Sequence, residues 1–287
     1  MRLYGGIGNQ LFQYAAARRL AYKHKTDLKL DITAYREYKI RKYSLNVFNI
    51  KECIASPDEI ERFRSVPKII KIDGRYYMEK KKERVVVEKH FHFDPEILEL
   101  PDNVYLTGYW QSEKYFKDIE DIIRQEFSIK PPQTEKDKEI LKLIKATQSV
   151  ALCVRRGELV TNVAFYEAFG FCKLDYYHRC ISYISRIIPS AHFFVFSDDF
   201  SWAKKYLPTD FPMTFVDHIE SSRSHENLRL MSNCRHYIIS NTTFGWWGAW
   251  LNRDRKKIVC VPKKWFKGFK GNTKDLFPAG WVKIRRD

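Results

Sequence analysis

From residue 149 onward the chain alternates short apolar runs with helical patterns, and this restricts the fold more than any other feature. The runs at 149–154, 192–196, 213–216, 237–240 and 257–261 are too short for typical helices and carry enough β-branched and aromatic residues to read as buried strands. Between them lie four helical patterns. One, opened by Asp175, turns Tyr177, Cys180, Ile181, Ile184 and Ile188 inward. The others cover 200–207, 224–234 (with Leu228, Met231 and Cys234) and 243–252. Strands alternating with helices imply an α/β domain whose parallel sheet is covered on both faces. Right-handed crossovers then bring Arg155, Asp198, Asp217 and Thr242 to one edge of it.

That edge carries two anion-seeking features. The strand at 149–154 runs into Arg155, Arg156, Gly157 and Glu158, where guanidinium forks match phosphate oxygens and glycine permits close backbone approach. A solvated strand end paired with surface carboxylates is the alternative. Thr242 and Thr243 stand where a strand hands over to a helix, whose first amides and dipole favour an anion; a plain helix cap is the alternative there. The sequence holds neither a GxxxxGK[ST] loop nor a full GxGxxG with its acidic partner, which argues against a P-loop ATPase and a dinucleotide enzyme.

The first half is less regular. Residues 1–24 read as a short strand, a loop with Gly5, Gly6 and Gly8, and a helix capped by Asn9, with Gln10 at the same mouth. Further strands are expected at 27–32, 85–87 and 103–106, with helices at 57–63 and 112–126. Tyr109 and Trp110 suit either stacking on a sugar or packing between domains. The charged run 79–84 reads as a solvated face, and His90 and His92 as structural. A site formed by Cys172, Cys180 and His178 lacks a fourth ligand. Pro131 and Pro132, in a polar stretch, set the boundary between a domain at 1–130 and one at 131–287, whose tail is expected to pack back on the first.

Net charge of +16 favours an anionic partner and permits loose contact with anionic lipid. The start MRLYGGIG has no apolar core of a signal peptide, and no run approaches the length of a membrane span. Six cysteines without a CxxC pair read as reduced thiols, so a cytoplasmic protein is expected, at most peripheral on the inner face of the membrane.

Several motifs occur in a telling order: GGIGNQLFQYA from Gly5, GYWQS from Gly108, VRRG from Val154, LDYY from Leu174, FSDD from Phe196, Leu230-Met231 with Cys234, and SNTTFGWWGAWL from Ser240. Together they resemble the bacterial α-1,2-fucosyltransferases of glycosyltransferase family 11, over nearly the whole chain. The resemblance implies a GT-B architecture, two Rossmann-like domains facing a central cleft. It also implies inverting, metal-independent transfer of L-fucose from GDP-β-L-fucose to the 2-hydroxyl of galactose in a glycan, with no cofactor.

On the matching positions, Arg155 would hold the diphosphate with Arg156 in support. Thr242 and Thr243 would offer further donors, Asn227 would lie near the guanosine, and Asn9 and Gln10 would face the donor across the cleft. Glu158, then Glu167, are the candidate general bases. Asp198 and Asp199 are expected to order the loop or position the donor. The family pattern has His, Asp and Asp where this chain has Cys153, Glu158 and Asn227. Rival readings are a GDP-sugar transferase of other donor or linkage, an inactive glycan-binding relative, and a basic nucleic-acid-binding protein. The core-like aromatics argue against the last.

Overall fold

The computed structural model describes residues 1–37, 40–64, 69–72, 75–78 and 85–286. The expected solvated run at 79–84 lies outside them. The chain forms two compact units, one of Met1–Ser128 with Lys274–Leu276, the other of Ile129–Thr273 with Phe277–Asp287.

The first unit starts with helix α1 (Ile7–His24), followed by α2 (Ala34–Glu37) and α3 (Pro57–Arg64). Strands β1 (Ile69–Ile72) and β2 (Arg75–Met78) pair antiparallel, and β3 (Val85–Val87) pairs in parallel with β4 (Tyr105–Thr107). The parallel set continues as short extended pieces. Arg2 donates to Leu106, and parallel bridges join Arg2 to Asp31 and Leu30 to Ile54. The expected strands at 1–4 and 27–32 are therefore reduced to single bridges.

Two expectations for this unit fail. α1 begins at Ile7 with Gly6 as its N-cap, so Asn9 sits inside the first turn and not at the cap position. The helix expected at 112–126 is broken into two 3-10 turns and a short α4 (Glu120–Glu126). Phe116 takes φ −142° between the turns because its ring, like that of Tyr115, is drawn wholly into the core. Burial of two aromatic side chains there outweighs the backbone preference for one continuous helix.

The second unit opens with α5 (Glu135–Ala146), begun by a capping box between Thr134 and Asp137. It continues β5 (Gln148–Val154), α6 (Gly157–Thr161), α7 (Val163–Phe169), α8 (Leu174–Ile187), β6 (Ala191–Ser197), α9 (Phe200–Tyr206), β7 (Met213–Phe215), α10 (Ser224–Ser232), β8 (His236–Ile238), α11 (Thr243–Leu251), β9 (Val259–Pro262) and β10 (Val282–Ile284). Sequence reading places a loop where α6 and α7 stand and assigns no element to α5 or β10.

All six strands pair in parallel, in the order β10-β9-β8-β5-β6-β7. This is the Rossmann order: three strands build outward from β5, the chain returns, and three more build the other way. The α/β class with parallel sheets is thus present, and in the second unit it is fully developed. β5 is buried from Ser149 to Val154 because neighbours cover both its edges and helices cover its faces. On one face Tyr176, Tyr177, Cys180, Ile181 and Ile184 of α8 pack against Val150, Leu152 and Val195. On α11, a Cβ at Gly248 would come within 3.1 Å of Met231 Cβ, so glycine sets how closely α10 approaches.

An ionic knot joins the start of α5 to the segment ahead of α10. Asp137, wholly buried, accepts from Thr134, from His218 Nε2 at 3.0 Å and from Arg223. Burial pushes its carboxyl up, but the bonds from Thr134, Arg223 and His218 outweigh that and hold it at about 2. A value below the ordinary 3.8 means that the charged form stabilises the fold above 3.8, and that this contribution is lost as pH falls towards about 2. Urea unfolding midpoints should therefore drop across that window. Asp137→Asn should flatten the drop and cost about 3 kcal/mol at neutral pH.

Candidate functional site at the strand-order reversal

The order of the second sheet reverses between β5 and β8. Leu152 pairs with Ile238, so Arg155 and Asn241 each stand three residues beyond the same paired rung. Crevices at such reversals, beyond the carboxyl ends of parallel strands, are where α/β sheets bind ligands. The structure thus brings the arginine pair and the threonine pair to neighbouring strand tips.

On the β5 side the guanidiniums are held by carboxylates. Arg155 Nη1 donates to Asp198 Oδ2 at 2.5 Å, and Nη2 donates to Glu158 Oε2 at 3.1 Å. The backbone N–H of Arg156 donates to Asp198 Oδ1 at 2.8 Å, and its Nε donates to Asp199 Oδ2 at 3.2 Å. The Arg156 guanidinium also lies 4.2 Å from the centre of the Trp202 ring and 5.3 Å from that of Phe171. Asp199 in turn caps α9 by accepting from Trp202 N at 3.0 Å. Asp198 and Asp199 therefore order the loop. Gly157 is required here, since a Cβ would sit 2.4 Å from Asp198 Oδ2. Three carboxylates face two guanidiniums, so the cluster holds its arginines in fixed directions rather than presenting bare positive charge. Arg155 and Arg156 remain in part solvent-accessible, at 30% and 16% of the side chain.

On the β8 side, Thr242 Oγ1 accepts from Gly245 N at 3.1 Å and caps α11, with Thr243 as the first helical residue. The N-terminus of this nine-residue helix lies at the same sheet edge. Asn241, which sequence reasoning passed over, is the hub beneath it. Its Nδ2 donates to the carbonyls of Phe169, Gly170 and Trp265 at 3.2, 3.0 and 3.0 Å. Arg286 Nη1 donates to two of the same carbonyls, those of Phe169 and Trp265. The signal for Asn241 was its place directly before the two threonines; for Arg286 the sequence offered none.

The other candidates lie apart from this cluster or are otherwise engaged. Asn227, on α10, carries a buried Oδ1 with no hydrogen-bond partner. Glu167, on α7, is 61% exposed and pairs with Lys267 Nζ at 2.6 Å. In the first unit, Asn9 Oδ1 accepts from Gln111 Nε2 at 3.0 Å. Gln10 is wholly buried and spends its amide on Gly5 O, Lys42 O and Ser44 N, so it braces the glycine loop instead of offering a donor at its mouth. Trp110 is 1% exposed against Tyr115, which rules out stacking on a sugar and puts its packing inside the unit. Cys172 and Cys180 are buried in the second unit's core; burial pushes the Cys172 thiol up to about 12. A cavity of about 300 Å³ in the first unit is lined by Ile32, Ile54, Pro57 and Ile60, with Thr33, Tyr35 and Arg36 among its mostly apolar walls.

Asn241→Ala should destabilise the protein by about 2 kcal/mol, its two amide hydrogens being shared among three carbonyls at roughly 1 kcal/mol per hydrogen bond. Hydrogen exchange should rise at Phe169, Gly170 and Trp265 before it rises in β5.

Comparison with known proteins places these features in a family. A colitosyltransferase of Escherichia coli, "Alpha-1,2-colitosyltransferase", is 33% identical over 99% of this chain and 98% of its own. The Escherichia coli O-antigen biosynthesis glycosyltransferase WbnK is 31% identical over 98% of this chain and 99% of its own. A more distant relative, galactoside 2-alpha-L-fucosyltransferase SEC1 of Bos taurus, is 24% identical over 52% of this chain and 42% of its own. The pattern of glycosyl transferase family 11 matches residues 2–285, and the chain belongs to that family of glycosyltransferases.

Proposed function

We propose that the protein transfers L-fucose from GDP-β-L-fucose to the 2-hydroxyl of a galactose in a glycan, with inversion and without a metal ion. The observation that carries this reading is the adjacency of Arg155 and the N-terminus of α11 at the strand-order reversal. As the glycosidic bond breaks, negative charge builds on the departing diphosphate. Oriented N–H groups that need not reorganise stabilise such charge most effectively. Asp198 and Glu158 take one bond each from Nη1 and Nη2 of Arg155, which has five N–H donors, and so aim the rest of the guanidinium. The unpartnered Oδ1 of Asn227 suits an N–H of the guanine base.

The acceptor hydroxyl must lose a proton. Glu158 is joined to Arg155 and so also orients the guanidinium; Glu167, joined to Lys267 but more exposed, is the other candidate base. Arg155→Ala should lower kcat about 10²–10³-fold, the usual cost of one stabilising donor. Asp198→Asn should lower kcat by a smaller factor while the protein stays folded. Glu167→Gln should lower kcat with little change in donor KM, whereas Glu158→Gln should change both. An Arg155→Ala enzyme of unchanged rate would remove the basis of the proposal.

A second donor is favoured by the relative named for colitose, a sugar equal to L-fucose without its 3-hydroxyl. The deciding assay offers GDP-fucose, GDP-colitose and GDP-mannose with a panel of β-galactosides in the presence of EDTA. A site that hydrogen-bonds the 3-hydroxyl would reject the deoxy sugar by about 10⁴-fold. Preference for GDP-colitose would overturn the donor assignment, and loss of all turnover in EDTA would overturn metal independence.

A further inference from the structure

Beside Glu158 and Glu167, the region after the arginine cluster carries exposed apolar side chains to which the proposed transfer assigns no role. In α6 and α7, Val160 is 41% exposed, Val163 78% and Phe169 38%. The segment after β9 adds Phe269 at 45%. The two pieces form one surface: Lys267 N and Gly268 N both donate to Ala168 O, at 3.2 and 3.1 Å. A Cβ on Gly268 would lie 2.8 Å from Glu167 O, so glycine permits the contact. The rings run in a chain, Phe165 to Phe169 at 5.8 Å, Phe169 to Phe266 at 5.8 Å and Phe266 to Phe269 at 5.1 Å.

The segment that carries Phe266 and Phe269 is rich in lysine. Lys263, Lys264 and Lys270 are exposed, and Lys267 lies 3.8 Å from the centre of the Tyr166 ring. Two acids share these elements, Glu167, paired with Lys267, and Glu158, paired with Arg155. Exposed apolar side chains clustered in this way mark a contact surface. Exposed apolar tips on elements that also carry lysine suit an interface that is apolar within and negatively charged at its boundary. Nucleic acid is a poorer fit. Phe165 and Phe169 stack on each other, and Val160 and Val163 offer no ring on which a base would stack.

We propose that α6–α7 and the 263–270 segment dock the second unit on an anionic membrane surface, with Val163 and Phe269 entering the headgroup boundary and Lys263, Lys264 and Lys270 contacting lipid phosphates. This is a peripheral contact. Among the described residues no helix is long and apolar enough to cross a membrane.

The test is co-sedimentation of the full chain with vesicles of phosphatidylcholine alone and of phosphatidylcholine mixed with phosphatidylglycerol, at low and high salt. Binding is expected on the anionic vesicles only, weakening as salt rises. Val163→Asp with Phe269→Asp should reduce the bound fraction at least tenfold. Each of Lys263→Gln, Lys264→Gln and Lys270→Gln should weaken binding about fivefold. Thermal melting should show these surface variants folded. Activity on a soluble galactoside should stay at the wild-type level, which separates this surface from the transfer site. The proposal falls if the wild-type chain stays in the supernatant with anionic vesicles, or if the double aspartate variant binds as well as the wild type. It falls too if the aspartate variant raises the acceptor KM while vesicle binding persists, which would make the patch a glycan platform. Tighter binding to a polyribonucleotide than to anionic vesicles would equally overturn it.

Discussion

Strand β5 is the member on which the second unit depends. It is paired along both edges, and the chain builds outward from it first towards β6 and β7 and then towards β8, β9 and β10. Because the two directions of building meet at β5, the loops leaving β5 and β8 diverge over opposite faces and leave room between their tips. A strand buried on every side cannot shift by one residue without turning its core side chains the wrong way. The direction in which Arg155 leaves the sheet is thereby fixed by Val150, Leu152 and Val154 packing beneath it.

The charges at that tip are arranged for direction more than for attraction. Asp198 bonds a guanidinium and a backbone amide at once, and Asp199 bonds the other guanidinium while capping α9. Each carboxylate thus couples an arginine to the backbone frame. Such pairs, partly exposed, add little to stability. Their effect is to narrow the rotamers of two long side chains, and a ligand need not then supply that ordering. Overall charge of +16 draws anions near; the local cluster decides how one is met.

Much of this was legible in the sequence because it rests on local pattern. Short apolar runs ending in Arg155, Asp198 and Thr242 announced strands whose tips share an edge, and the long motifs from Gly5 and Ser240 announced the family. What was missed depends on partners distant in sequence. Gln10 looks like a ligand donor until Lys42 and Ser44 are seen to claim its amide. Trp110 looks like a sugar platform until Tyr115 covers it. The helix expected from residue 112 had the right apolar spacing, yet Phe116 was pulled inward and broke it. Asn241 and Arg286 converge on carbonyls from two other segments, a meeting that no short window of sequence displays.

The path of the chain has a consequence for recombination. It leaves the first unit after Ser128, returns to it for Lys274–Leu276, and then finishes the second with β10 and Arg286. In that return Asp275 accepts from Phe93 N and from Lys114, and its carbonyl accepts from Ser112. A chimera spliced once near residue 129 would therefore hand each parent's first unit a foreign three-residue clasp. Exchanging halves between relatives calls for three matched crossovers, and natural shuffling of this unit as a free-standing cassette is correspondingly disfavoured.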